Sequence, residues 1–345
     1  MIGLELFFAL VMLAALVAYA LLGCADFGGG IWDLLSRGPR AAEQRRHIAR
    51  AIGPVWEANH VWLIFLIVVL FTCFPRAYAA ASVALFWPLH LILIGIVLRG
   101  ASFVFRAYGS TAAATQRTWT RVFGIASALT PLLLGACLGA ISTGDLGADA
   151  PLRAWRGWLA PFPMAIGLLT LLISAYLAAV YLAWESAGPE GPALQIPDSD
   201  ADLQNDFRKR ALITWLVAGA TSIAVLVLAR RDAPRLWEGL TSLPAAAIVA
   251  GGVLLAPASA LALATRRYRL ARLLAGAQVT LLLAGWGVAQ HPYLIAPDLT
   301  LAASAAPRPT LVLTAMTLPL GAAALIPSLW YLFRVFKGRN PGSGA

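Results

Sequence analysis

The groups best placed to do proton chemistry lie in residues 52–63, which read Ile-Gly-Pro-Val-Trp-Glu-Ala-Asn-His-Val-Trp-Leu at the mouth of a long apolar run. Trp56, Glu57, Asn59 and His60 fall within about one and a half helical turns, where the chain becomes hydrophobic enough to enter a bilayer. An acidic residue at the centre of a membrane helix costs roughly 2.5 to 3.5 kcal/mol, so an intramembrane carboxylate points to function by default. Glu57 precedes His60 by three residues, which puts both on one helix face. Such a pair can conduct protons, or it can simply satisfy itself within a helix bundle.

Further ionisable residues border this stretch. Residues 23–33 read Gly-Cys-Ala-Asp-Phe-Gly-Gly-Gly-Ile-Trp-Asp at what the hydropathy marks as the end of the first apolar run. Gly28, Gly29 and Gly30 permit close helix packing, a kink, or near approach to a cofactor or a neighbouring subunit. They do not form a phosphate loop, because no strand precedes them and no Lys-Ser/Thr follows. Asp26 can carry protons at the cytoplasmic edge, or be a helix-end acid in water or paired to a loop arginine; Asp33, farther out, reads as solvated. Arg99 follows a run whose only other ionisable residue is His90, so it pairs with a carboxylate such as Glu57 or Asp26, or snorkels to the headgroups.

Histidines also ligate haem, and His60 and His90 lie on consecutive antiparallel apolar runs. Their depths argue against a shared ligand set, since His60 is near the start of its run and His90 about two thirds along the next. His47 sits in a basic loop and reads as solvated. His291 is either a surface residue or part of an interface, and residues 292–309, rich in small and polar residues, are either a docking segment or a connector. Cys24, Cys73 and Cys137 are widely spaced in or beside apolar segments and read as buried thiols rather than as a metal or redox set.

The elements that must hold these residues are membrane helices. Apolar residues make up 60% of the chain, charged residues 12%, and mean hydropathy is +0.77, well outside the soluble range. The net charge of +10 belongs to short interhelical loops, where it sets topology and meets anionic membrane lipid, and it does not indicate nucleic acid. The fold class is all-α, a polytopic membrane protein of about nine transmembrane helices, at 4–22, 55–74, 77–98, 122–142, 161–184, 211–229, 243–264, 270–289 and 309–333. The first run lacks a basic lead-in and is long enough to act as an anchor rather than a cleaved signal. Trp119, Trp155, Trp158, Trp184, Trp215, Trp237 and Trp330 fall near predicted helix ends and read as interfacial anchors.

With the amino terminus outside, the cytoplasmic segments hold nineteen of the 26 basic residues and the opposite side seven, which favours amino terminus out and carboxyl terminus in. The loop at 185–210, with Pro189, Pro192, Pro197 and six acidic residues, reads as irregular and cytoplasmic. It divides one integral domain, 1–345, into helices 1–5 (4–184) and helices 6–9 (211–333), which suggests two four-helix bundles plus an extra helix.

In these residues the chain resembles subunit II of the cytochrome bd quinol oxidases. The resemblance rests on Asp26-Phe-Gly-Gly-Gly, on Arg45-Arg46, on residues 52–63, on Phe74-Pro-Arg-Ala-Tyr-Ala-Ala-Ala and on Arg99, and continues more loosely through His291-Pro-Tyr-Leu-Ile-Ala-Pro and Thr310-Leu. It implies a heterodimeric terminal oxidase of the bacterial cytoplasmic membrane that oxidises membrane quinol and reduces dioxygen to water. It further implies haem b and haem d in the complex, carried by the partner, subunit I, with a small accessory subunit as a further candidate. Asp26, Glu57 and Arg99 fall on positions that the resemblance assigns to a cytoplasmic proton path; His60 joins them by position, and Trp56 and Trp62 lie on adjoining aromatic positions. The chain departs from many relatives at Gly23, where they carry a second acid, and in having Glu rather than Asp at 57. The alternative function is a membrane transporter that uses the buried charges of Asp26, Glu57 and Arg99 to move a solute.

Overall fold

The computed structural model describes residues 3–52, 56–110, 112–146, 157–186 and 198–337. The described residues form thirteen helices and one two-stranded antiparallel sheet: α1 Leu4–Leu35, α2 Ala41–Ile52, α3 Trp56–Cys73, α4 Pro75–Ala84, α5 Phe86–Tyr108, α6 Ala113–Thr143, α7 Pro161–Glu185, α8 Asp198–Asp232, α9 Pro234–Thr241, α10 Leu243–Ala264, α11 Tyr268–Gln290, β1 Tyr293–Ile295, β2 Leu299–Thr300, α12 Leu301–Ser304 and α13 Arg308–Lys337. Eight of these helices are long and apolar enough to cross a membrane, and a ninth crossing results if the bent pair α3 and α4 counts as one span. That agrees with about nine crossings.

The centre is built by α6 and α7, which bury more than half of their most apolar windows, with α1 laid against both. Small residues permit the close crossings. A Cβ at Gly28 would run into the Ser174 carbonyl of α7, and one at Gly30 into the Ser127 side chain of α6. Gly29 is buried between them. In lipid, where the tails are as apolar as leucine, such backbone approach supplies the packing that water drives in soluble proteins. The three glycines therefore serve packing, and α1 continues through them to Leu35 rather than ending at residue 22.

Four more expectations need correction. The third apolar run does not begin a membrane helix at 77: the chain breaks at Phe74 (φ −135°, ψ 59°), and Pro75, whose nitrogen has no hydrogen to give, opens the short helix α4 at 119° to α3. The crossing is α5, from Phe86. The basic segment after α1 is not a bare loop, because α2 buries Gln44, Ile48 and Ala51 at helical spacing. His47 on α2 is not solvated, with Nε2 3.2 Å from the Leu182 carbonyl oxygen and 3.0 Å from Ser186 Oγ. Finally, helix α8 starts at Asp198, so the second half of the 185–210 loop is helical; residues 187–197 lie outside the described residues.

On the opposite side, the segment after α11 docks on its own chain. The Ala296 and Ala306 amides donate to the Ile141 and Cys73 carbonyls, and Arg76 Nη1 donates to the Ala303 carbonyl at 2.8 Å. His291 stands at its start, lining a cavity of about 250 Å³ with Arg235, Glu238 and Tyr293.

Candidate functional site

The charged groups inside the bundle follow one spacing. Asp26 and Asp33 are seven residues apart on α1, and Arg99 and Arg106 are seven apart on α5. Seven residues are nearly two turns, so each pair shares a helix face with a rise of about 10.5 Å between members. Both arginines pass beside α6 to reach α1, and the residues of α6 that meet them are Phe123 and Ser127.

The inner pair is Asp26–Arg99. Arg99 Nη2 donates to Asp26 Oδ1 at 2.6 Å and to the Asp26 carbonyl at 3.3 Å, and Arg99 Nε donates to Ser127 Oγ at 3.1 Å. Each side chain is 2% exposed. The guanidinium carbon lies 5.2 Å from the centre of the Phe27 ring and 5.0 Å from that of Phe123, within cation–π range of both. Arg99 binds Oδ1; Asp26 Oδ2 is buried and makes no hydrogen bond of ordinary length among the described residues, and the Asn59 side chain is the polar group beside the carboxylate.

The outer pair is Asp33–Arg106. Here both oxygens are engaged, Oδ2 by Nη1 at 3.0 Å and Oδ1 by Nη2 at 3.3 Å. Asp33 is 2% exposed and Arg106 21%, so the expectation of a solvated Asp33 is overturned. The cause is the length of α1, which carries residue 33 back into the bundle. Arg45 of α2 donates to the Asp33 and Ser36 carbonyls and so satisfies orphan acceptors at the end of α1.

Helix α3 brings its residues to the same level. The His60 ring sits between Tyr19 and Phe27 of α1, at centroid distances of 6.1 and 6.0 Å. Asn59 is buried and its Nδ2 donates to the Leu22 carbonyl at 3.4 Å. Trp62 is half-buried on the same helix. The side chains of Trp56 and Glu57 lie outside the described residues, although the helix that carries them starts at Trp56. His90 does not join the cluster. It is exposed on the outer face of α5, with Nδ1 2.7 Å from the Phe86 carbonyl oxygen and its ring against Phe86.

The structure thus brings together Asp26, Arg99, Asn59, His60 and the glycines, and sets His90 apart. Sequence reasoning missed Asp33, Arg106, Ser127 and Phe123; the repeated spacing of seven on two helices was the signal for the two charged ones. Among the described residues His47 is engaged at the Leu182 carbonyl and His90 is exposed on the outer face of α5, and no group of three or more His, Cys, Asp or Glu gathers as a metal set.

Comparison with known proteins agrees with this architecture. The chain is 24% identical over 328 residues to a putative cytochrome bd menaquinol oxidase subunit II of Bacillus subtilis, covering 92% of this chain and 91% of the relative. It is 28% identical over 182 residues to the cytochrome bd-I ubiquinol oxidase subunit 2 of Escherichia coli, half of this chain and 48% of the relative. Its fold matches a chain of the bd oxidase structure from Geobacillus thermodenitrificans with a TM-score of 0.74 at 21% identity, over 98% of this chain and all of that one. The model of the family of cytochrome bd terminal oxidase subunit II matches residues 4–336, and the chain belongs to that family.

Proposed function

We propose that this chain gives its complex a proton path from the cytoplasm, running by Asp26, Arg99, Glu57 and His60, while its partner carries the haem chemistry. The family function is quinol oxidation coupled to dioxygen reduction, so the chain is a subunit of a bacterial inner-membrane oxidoreductase complex with subunit I, and haem groups belong to that complex. Relatives are named for both menaquinol and ubiquinol, so the reductant is a lipid quinol.

The observation that carries the reading is the Asp26–Arg99 pair, in which an acidic and a basic side chain sit 2% exposed in helices of membrane-spanning length. Burying an ion pair wins little stability over an apolar replacement, so a role beyond packing is the economical account. Dioxygen reduction consumes protons. If they enter from the cytoplasm while quinol releases its own outside, the reaction charges the membrane without a pump. The orientation this requires, amino terminus out and carboxyl terminus in, is supported by the distribution of basic residues: setting aside the buried Arg99 and the paired Arg106 from the cytoplasmic nineteen leaves seventeen against seven. His60 and Asn59 line the inner pair, and Trp62 follows them along α3. Haem b and haem d fall to subunit I in this reading, which the outward, exposed position of His90 supports. Contacts with lipid and with a small accessory subunit complete the assignment.

A transporter reading has no comparable support. The sharp break between described helices lies at Phe74, at a helix end, whereas transporter sites are built from helices broken near the midplane.

The test neutralises the pair without stranding a charge. The Asp26→Asn/Arg99→Gln complex, purified whole, is expected to keep its haem absorption and to lose about tenfold or more of its quinol-driven oxygen uptake. Glu57→Gln is expected to act in the same direction. Oxygen uptake at the unaltered rate in both variants would remove the path from this chain.

A further inference from the structure

One hydroxyl on α1 lies deeper than the ion pairs and has no partner among the described residues: that of Tyr19, a residue only 6% exposed. Tyr19 stands seven residues before Asp26, so Tyr19, Asp26 and Asp33 line one face of α1 at steps of about 10.5 Å. Its ring turns toward Asp26. A Cβ at Gly23 would lie 3.0 Å from Tyr19 Cε2, 3.2 Å from Cδ2 and 3.4 Å from Cζ, so the ring packs tightly over the bare turn at position 23. On its other side the ring faces His60, at a centroid distance of 6.1 Å. Asp26 and Arg99 are both within electrostatic range of the phenol.

Two buried polar atoms on this face of α1, the Tyr19 hydroxyl and Asp26 Oδ2, make no hydrogen bond among the described residues, with the Asn59 side chain the polar neighbour of the carboxylate. Buried hydroxyl and carboxylate oxygens are almost always hydrogen-bonded to protein or to ordered water, and a buried water needs two or more polar partners. A phenol can donate and accept at once, and a carboxylate accepts.

We propose that Tyr19 is the inward station of the proton path, binding water with Asp26 Oδ2, and that Gly23 is bare so that the phenol can lie there. The inference rests on the proton-path reading of Asp26. Each transfer leaves the residues as they began: the hydroxyl gives its proton to the next acceptor inward and takes one from the water, which is reprotonated from the Asp26 side. No net charge has to rest on the ring. Tyr19 positions and passes a proton; it touches no substrate.

The test is Tyr19→Phe in the whole complex, which removes the hydroxyl and keeps the ring over Gly23. The variant is expected to assemble with native haem absorption and an unchanged KM for quinol, to lose about fivefold or more in kcat, and to show a larger solvent deuterium isotope effect on kcat. Gly23→Ala, which pushes the ring by a few tenths of an ångström, is expected to cause a smaller loss in the same direction, and to add nothing in the Tyr19→Phe background, because the two changes act on one hydroxyl. Wild-type kcat in Tyr19→Phe, a slower kcat with an unchanged isotope effect, or failure to assemble would each overturn the proposal. If the neutral Asp26→Asn/Arg99→Gln pair is slow while Tyr19→Phe is not, Tyr19 alone leaves the path. If both are fast, the path reading itself falls.

Discussion

Two ion pairs of the same chemistry, on the same two helices and seven residues apart, are built differently. In Asp33–Arg106 the guanidinium fork closes on both carboxylate oxygens, and the arginine keeps a fifth of its surface outside. In Asp26–Arg99 one oxygen is bound by the arginine, the other makes no hydrogen bond among the described residues, and neither partner reaches the surface. The outer pair spends its whole hydrogen-bonding capacity on the helix contact. The inner one holds a group in reserve, at the depth where an unused polar atom is most costly to keep. The difference separates a lock from a site.

Breaking the inner pair on one side only should have the largest effect. Arg99→Leu strands the Asp26 carboxylate, and removal of one partner from a buried pair costs about 3 to 5 kcal/mol. The expected result is a poor yield of assembled complex and a lower melting temperature for what remains, recovered when Asp26→Asn is added, with turnover still low. Recovery of turnover along with assembly would make the inner pair a lock like the outer one. Gly28→Ala comes next, because its new methyl group would meet a backbone carbonyl on α7 that cannot swing aside; overpacking of this kind costs about 1 to 3 kcal/mol. Thermal unfolding of the complex measures it. Asp33→Asn follows. It leaves Arg106 partly solvated, so the loss should be about 1 to 2 kcal/mol, with oxygen uptake within about twofold of the parent. An uptake loss as large as that of the inner neutral pair would merge the two pairs into one path.

The sequence carried the inner pair because two opposite charges stood alone in apolar runs that must lie side by side, and an unpaired Arg99 had nowhere else to go. It hid the outer pair because apolar counting closed the first helix at 22, which left Asp33 looking like a loop residue; the helix runs on because Gly28 and Gly30 let α6 and α7 approach its backbone. The spans at 161–184, 243–264 and 270–289 were legible within two residues, since composition there changes sharply at both ends. Helix α2 was obscured by charge: its stripe of Gln44, Ile48 and Ala51 is narrow, and its stability comes from partners on α8 that lie far off in sequence. At Phe74-Pro75 the break was written in the proline, but the apolar run carries on past it and hid the turn.

The partners of α2 on α8 supply the mildest test, because there the same Asp–Arg chemistry stands in water. Arg40 bridges Asp202 and Asp206 of α8, with its own side chain 40% exposed and that of Asp202 66% exposed. Exposed pairs are screened by salt and offset by side-chain entropy, so Arg40→Ala should cost under about 1 kcal/mol and less still at high ionic strength. Gln44 also engages Asp206, and Arg210 donates to Gln44, so α2 keeps a hold on α8 when Arg40 is gone. Oxygen uptake should be unchanged, and the melting temperature should shift by a degree or two that vanishes as salt is added. A salt-independent loss as deep as that of Asp33→Asn would mean that burial is not what separates these pairs, and the contrast between lock and site would have to rest on the free oxygen of Asp26 alone.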